Sequence, residues 1–298
     1  MTHRLIAVIT AVLVTISTTA LAGWEYTAKT SAQGGEQSQA MNSTIRGWAD
    51  GPKSKVEFVS AGNPMTPQGS YLVSKDGGKT IYIVNPREKK YSKWDMQAMM
   101  DMAGGAMEMM GIKFSTPKVE KLVDEKGPKM LGFKTQHYRF RTTYTMSMNF
   151  MGMSQSTETE QIEDVWTVDE LDDEGLNVWL NQQNMRTGNK ELDKLLEAEM
   201  GKISGFPLKR VVITTEKQAD GPAEKQTITT EITSLRKASP SDSEFTVPSG
   251  YTEQQMFPAG SGMPQGGSSQ RGGRQRGGQD DGENPLMKMM QQFQQGQQ

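Results

Sequence analysis

The chain has 298 residues, 33 basic against 35 acidic side chains for a net charge of −2, no cysteine and 22 methionines. A balance so near neutral offers little attraction to nucleic acid or to an anionic membrane. Without thiols there can be no disulfide, cysteine metal site, cysteine nucleophile or lipid-bearing cysteine behind an export signal.

In chain order, the first element reads as a secretion signal. Arg4 gives a basic start, residues 5–20 are uncharged and hold five threonines and serines, and Ala20-Leu21-Ala22 precedes Gly23. Charge, apolar run and small residues in that order predict cleavage after Ala22 and export, with the periplasm as destination. The run is short for a bilayer span, which takes about 20 apolar residues. The mature chain is therefore expected not to be transmembrane and to touch the envelope membrane only transiently. Losing Arg4 takes the net charge from −2 to −3.

Residues 23–257 read as one β-rich domain. Period-two runs are separated by Asp50-Gly51-Pro52, Asp76-Gly77-Gly78, Asn85-Pro86-Arg87-Glu88, Lys126-Gly127-Pro128 and Asp220-Gly221-Pro222, all of them turn chemistry. Residues 71–73 and 80–84 flank the Asp-Gly-Gly turn and predict a hairpin. Asp95 can cap a helix in which Met96, Met99, Met100, Ala103, Met107 and Met110 share one face. Gly104-Gly105 predicts either two short helices or one with a mobile joint.

The run 133–150 alternates cleanly. Tyr138, Phe140, Tyr144, Met146, Met148 and Phe150 fall on one face, with His137, Arg139, Arg141, Thr143 and Thr145 on the other. Its expected partner, 157–168, is read as placing Ile162, Trp166 and Val168 together on an apolar face. One apolar and one wet face is the pattern of an antiparallel sheet covered on a single side. The pattern over residues 176–180 is ambiguous. A second helix starts near Asn189, buries Leu192, Leu195, Leu196 and Met200, and stops at Gly201. Residues 258–298 hold ten glycines and many glutamines, the composition of a disordered tail. Leu286, Met289, Met290 and Phe293 near its end have helical spacing, and so short a helix would form only against a partner, a membrane or the domain itself.

Catalysis finds little support in these residues. His137 is the single histidine of the mature chain, on a polar strand face without a nucleophile beside it. The acidic run 169–174 lacks the oxygen spacing and central glycine of a calcium loop, and no phosphate loop or nucleophile elbow occurs. Arg271, Arg274 and Arg276 sit among glycines without aromatics, so a soluble linker is the expectation and nucleic acid is not. The methionines admit three readings: core packing, the lining of a soft apolar cavity, or a thioether site for Cu(I), to which soft sulfur is suited. No cofactor is expected under the first two.

The stretch from Gly69-Ser70-Tyr71-Leu72-Val73 through Asp76-Gly77-Gly78-Lys79 to Ile81-Tyr82-Ile83-Val84-Asn85-Pro86 resembles the strand, turn and strand of the LolA-like periplasmic carriers. Phe245-Thr246-Val247-Pro248-Ser249-Gly250-Tyr251 is similar to the closing motif of that superfamily, and Gly205-Phe206-Pro207-Leu208 resembles its uncharacterised exported relatives. The resemblance implies a mainly β fold, a curved antiparallel half-barrel with helices covering its concave face. It also implies a lipid or lipoprotein acyl chain held in that concavity. The ligand-lining candidates are then Met96, Met99, Met100, Met107, Tyr138, Phe140, Tyr144, Met146, Met148, Ile162 and Trp166. Where the lipoprotein carriers commonly show an Arg-Pro pair, this chain has Ala49-Asp50-Gly51-Pro52-Lys53, without an arginine. The expectation is an exported binding or carrier protein. The alternatives are a methionine-rich Cu(I)-binding protein and a structural protein of the cell envelope.

Overall fold

The structure is a computed structural model that describes residues 23–35, 38–61, 66–150, 153–171, 174–178, 186–200, 202–219 and 221–255. The expected signal and the tail from residue 258 lie outside the described residues. The strands are β1 (Gly23–Gln33), β2 (Ser43–Asp50), β3 (Lys53–Ala61), β4 (Tyr71–Ser74), β5 (Thr80–Asn85), β6 (Lys90–Asp95) and β7 (Ile112–Phe114). They continue with β8 (Lys118–Lys126), β9 (Gln136–Phe150), β10 (Met153–Val168), β11 (Phe206–Gln218), β12 (Ala223–Ala238) and β13 (Thr252–Glu253). Between them lie α1 (Ser38–Met41), α2 (Met96–Met109), α3 (Glu174–Asn177) and α4 (Lys190–Met200), with a 3-10 turn at Asp242–Phe245.

Among the described residues all thirteen strands join one sheet in the order β13-β6-β5-β4-β3-β2-β1-β12-β11-β10-β9-β7, and β8 pairs with β9 alongside β7. Every pairing is antiparallel except β13 with β6. The connection from β6 to β7 shows how strongly this sheet bends. Laid flat, ten strand spacings would separate them by roughly 48 Å. Yet the link is α2, whose 14 residues span about 21 Å, and two further residues. The sheet must curl until its two ends nearly face each other, with α2 bridging the mouth. The fold is thus mainly β, a large curved antiparallel sheet left unclosed, with few helices.

The expected hairpin is present, with Tyr71 opposite Val84 and Val73 opposite Tyr82. Asp95 caps α2 by accepting from the Ala98 N–H at 3.0 Å, and Asn189 caps α4 by accepting from Leu192 N–H at 3.0 Å. Helix α2 runs unbroken through Gly104-Gly105, and Gly104 has a packing reason. A Cβ there would overlap the carbonyl of Thr187, so glycine lets residues 186–189 lie on the helix. The undecided stretch begins as α3, where buried Leu176 is followed by buried Val178, and 179–185 lie outside the described residues.

Two cores occupy opposite faces. The larger holds Trp24, Tyr26, Ala28, Ala49, Val56, Val168, Phe206, Leu208 and Ile232 from the sheet, capped by Leu171 and Leu176. Gly47 stands directly across from Tyr26, and any Cβ at 47 would run into the Tyr26 ring. The smaller core, on the other face, joins Tyr71, Val73 and Val84 to Val247 and Tyr251 of the closing motif. Lys55 and Lys53 fasten that strap from β3 through ion pairs to Glu244 at 2.8 Å and Asp242 at 2.7 Å. Among the described residues no helix is long and apolar enough to cross a membrane.

Candidate functional site

Register follows the larger core from strand to strand and identifies its face on β9 as the one bearing Tyr138, Phe140, Thr142, Tyr144, Met146 and Met148. Five of the proposed lining residues are therefore neighbours in one row. Tyr138 and Phe140 stack at 5.9 Å between centroids, and Phe140 is 3% exposed. Strand β7 widens the row, because Ile112 pairs with Met148 and Phe114 with Met146, and Phe114 meets Tyr144 edge-on at 6.1 Å. Burial raises the pKa of the Tyr144 phenol above its ordinary range. The result is an aromatic and thioether strip near the free edge of the sheet.

Helix α2 turns Met96, Met99, Met100 and Met107 to its half-buried side. Its last turn leads straight into β7, so Met107 approaches the strip. Met96 lies at the β6 end, roughly 16 Å along the helix. The remaining two candidates fall elsewhere. Ile162 pairs with Arg141 and Trp166 with His137, which puts both on the opposite face from Tyr138 and Phe140. Trp166 stacks flat on His137 at 4.6 Å. Asp164 accepts from Arg139 at 2.8 Å and lies 2.8 Å from His137 Nε2. The expectation that Ile162, Trp166 and Val168 share a face fails at a bulge between Trp166 and Thr167, which shifts parity and returns Val168 to the core.

The inward positions of β10 are Thr157, Thr159, Gln161, Glu163 and Val165, and they carry a charged cluster that the sequence reading did not single out. Glu163 is 1% exposed. Lys202, just past α4, brings Nζ to 2.6 Å from its Oε2 and 2.7 Å from Glu199 Oε2. The Lys202 to Glu163 contact is an ion pair outside hydrogen-bond geometry. Arg210 Nε donates to the other oxygen of Glu163, Gln161 donates to Glu199 at 3.2 Å, and the Lys202 ammonium lies 5.5 Å from the Phe140 ring centre. The cluster pins the end of α4 to the floor beside the aromatic strip. The alternation of β10 did not reveal it, because a reading that turns Ile162 and Trp166 inward turns Glu163 outward; once inside, an unpaired charge is prohibitive.

Chemically, the strip offers apolar and polarisable contact, and the cluster offers fixed charge next to it. A polar groove of about 460 Å³ lies apart from both, lined by Lys29, Ser31, Thr44, Thr229 and Glu231 among others. Among the described residues no three histidine, aspartate or glutamate side chains gather as metal ligands. No curated protein matches this chain. Over residues 50–251, most of the curled sheet together with α2, α4 and the closing strap, the chain matches the family described as domain of unknown function DUF4412, and it belongs to that family.

Proposed function

We propose that the protein is an exported carrier that holds an apolar or amphiphilic ligand, a lipid or an acyl chain, in the manner of the LolA-like periplasmic carriers. One observation carries this reading. An unclosed, curled sheet presents Tyr138, Phe140, Tyr144, Met146 and Met148 in one row on its core face, with Thr142 the single polar position among them, and with the methionine side of α2 bridging its mouth. Methionine suits such a role because its flexible thioether adapts to chains of varying shape. Each methylene taken from water would contribute about 0.8 kcal/mol. Binding and release need no bond chemistry, so the strip itself is the working part.

The test is native mass spectrometry of protein isolated from its own envelope, followed by titration of the delipidated protein with cis-parinaric acid. Co-purified lipid and saturable probe binding are expected, with binding weakened at least roughly tenfold by Met146→Asp, a change worth about 1.4 kcal/mol. Absence of both lipid and saturable binding would overturn the proposal. So would a tight one-to-one Cu(I) titration lost on changing Met146 and Met148 to leucine.

A further inference from the structure

Helix α2 has a second side that the core does not use. Ala98, Met102, Gly105 and Met109 recur at i, i+4, i+7 and i+11 and are all exposed, Met109 at 58% and Met102 at 39%. Among the described residues nothing lies within 4 Å of where a Cβ on Gly105 would stand. A mid-helix glycine costs about 1 kcal/mol relative to alanine. At Gly104 the Thr187 carbonyl explains it, while Gly105 leaves a notch open to an approaching element. The only charged side chains of the helix, Asp101 and Glu108, are exposed and lie along one side of this stripe.

The course of the chain names an occupant. β13 runs parallel to β6, with Glu253 level with Tyr91 and Gln254 N–H donating to the Tyr91 carbonyl at 2.7 Å. β6 itself passes directly into α2. The chain therefore leaves the domain heading for the start of α2, which lies about four strand residues on, or roughly 13 Å. Further along come Leu286, Met289, Met290 and Phe293 at i, i+3, i+4 and i+7, with Lys288 the only charge among residues 286–293. About thirty residues separate Gln255 from Leu286, a Gly/Gln-rich length whose reach is roughly 30 Å. That is enough to lay the segment along a 21 Å helix.

We infer that residues 286–293 dock back on the Ala98, Met102, Gly105 and Met109 stripe of α2, apolar face to apolar face. Eight residues make a marginal helix alone. Tethering supplies an effective concentration near millimolar that free association would lack. The contact does not depend on what the sheet carries.

The absence of cysteine makes disulfide trapping the direct test on the full mature chain. Met102→Cys with Phe293→Cys should oxidise within one molecule roughly tenfold faster than Met102→Cys with Ser268→Cys, although Ser268 is nearer along the chain. Adding Met290→Asp should erase that advantage. Equal rates for the two pairs, or an advantage that survives Met290→Asp, would overturn self-docking. Disulfides formed between molecules would do the same and assign the stripe to a second copy.

Discussion

Replacing Lys202 with methionine would strip Glu163 of its buried cation while keeping the length and packing of the side chain. Glu163 is 1% exposed and the Lys202 side chain 4% exposed, so water cannot take the place of the ammonium. Losing one partner of a buried pair costs about 3–5 kcal/mol. Arg210 stays on the second oxygen, which brings the expected loss toward the lower end, about 3 kcal/mol. For a domain of this size that is roughly 6–12 °C in Tm. Removing both charges with Lys202→Met and Glu163→Leu leaves Arg210, 42% exposed, free to be solvated. Most of the loss should then be recovered, because an apolar pair of similar volume is often neutral or better. Urea unfolding followed by tryptophan fluorescence would measure both singles and the double as a cycle. Additive losses, or a Lys202→Met cost below about 1 kcal/mol, would refute the view of the cluster as a mutually dependent buried unit.

Gly47→Ala should cost about 1–3 kcal/mol, because the new methyl meets the Tyr26 ring, and a neutral result would show that the two strands can part there. The adjacent glycines of α2 should respond with opposite signs. Gly105→Ala should stabilise by about 1 kcal/mol, whereas Gly104→Ala should destabilise because it collides with the Thr187 carbonyl; equal effects in thermal melts would contradict the packing described. Burial pushes the Tyr71 phenol up to about 12 from 10.0 and the Tyr26 phenol above its ordinary range. Raised values favour the neutral form in the fold. Their stabilising contribution is thus complete below pH 10 and lost as pH climbs through about 12. Ultraviolet titration of the 7 tyrosines should show a late fraction that ionises only together with unfolding, and complete ionisation ahead of unfolding would count against both.

Local grammar made several elements legible before any coordinates. The Asp-Gly-Gly hairpin, the Asp95 cap, the helix start near Asn189 and the alternation of β9 all depend on neighbours in sequence, and all are present. Features set by distant pairing were not legible. Parity through Trp166 is decided by a bulge opposite β11, so Ile162 and Trp166 were assigned to the wrong side of the sheet. Lys202 lies beyond a helix, 39 positions after Glu163, and nothing local links the two. Gly104 read as a helix interruption because its partner, the Thr187 carbonyl, comes from another segment.

The position of β1 between β2 and β12 governs how the chain can fold. The first strand of the described residues is an interior one, and it pairs across 200 residues where Thr30 meets Thr230. Closing a loop of that length costs about 5 kcal/mol of chain entropy, which must be met before any β1 to β12 hydrogen bond forms. Contacts so remote in sequence slow folding. Hairpins β2 with β3 and β9 with β10 can assemble early, but the two halves of the sheet have no shared seam until β12 arrives. Deleting the N-terminal strand would therefore not trim an edge; it would divide the sheet down its middle.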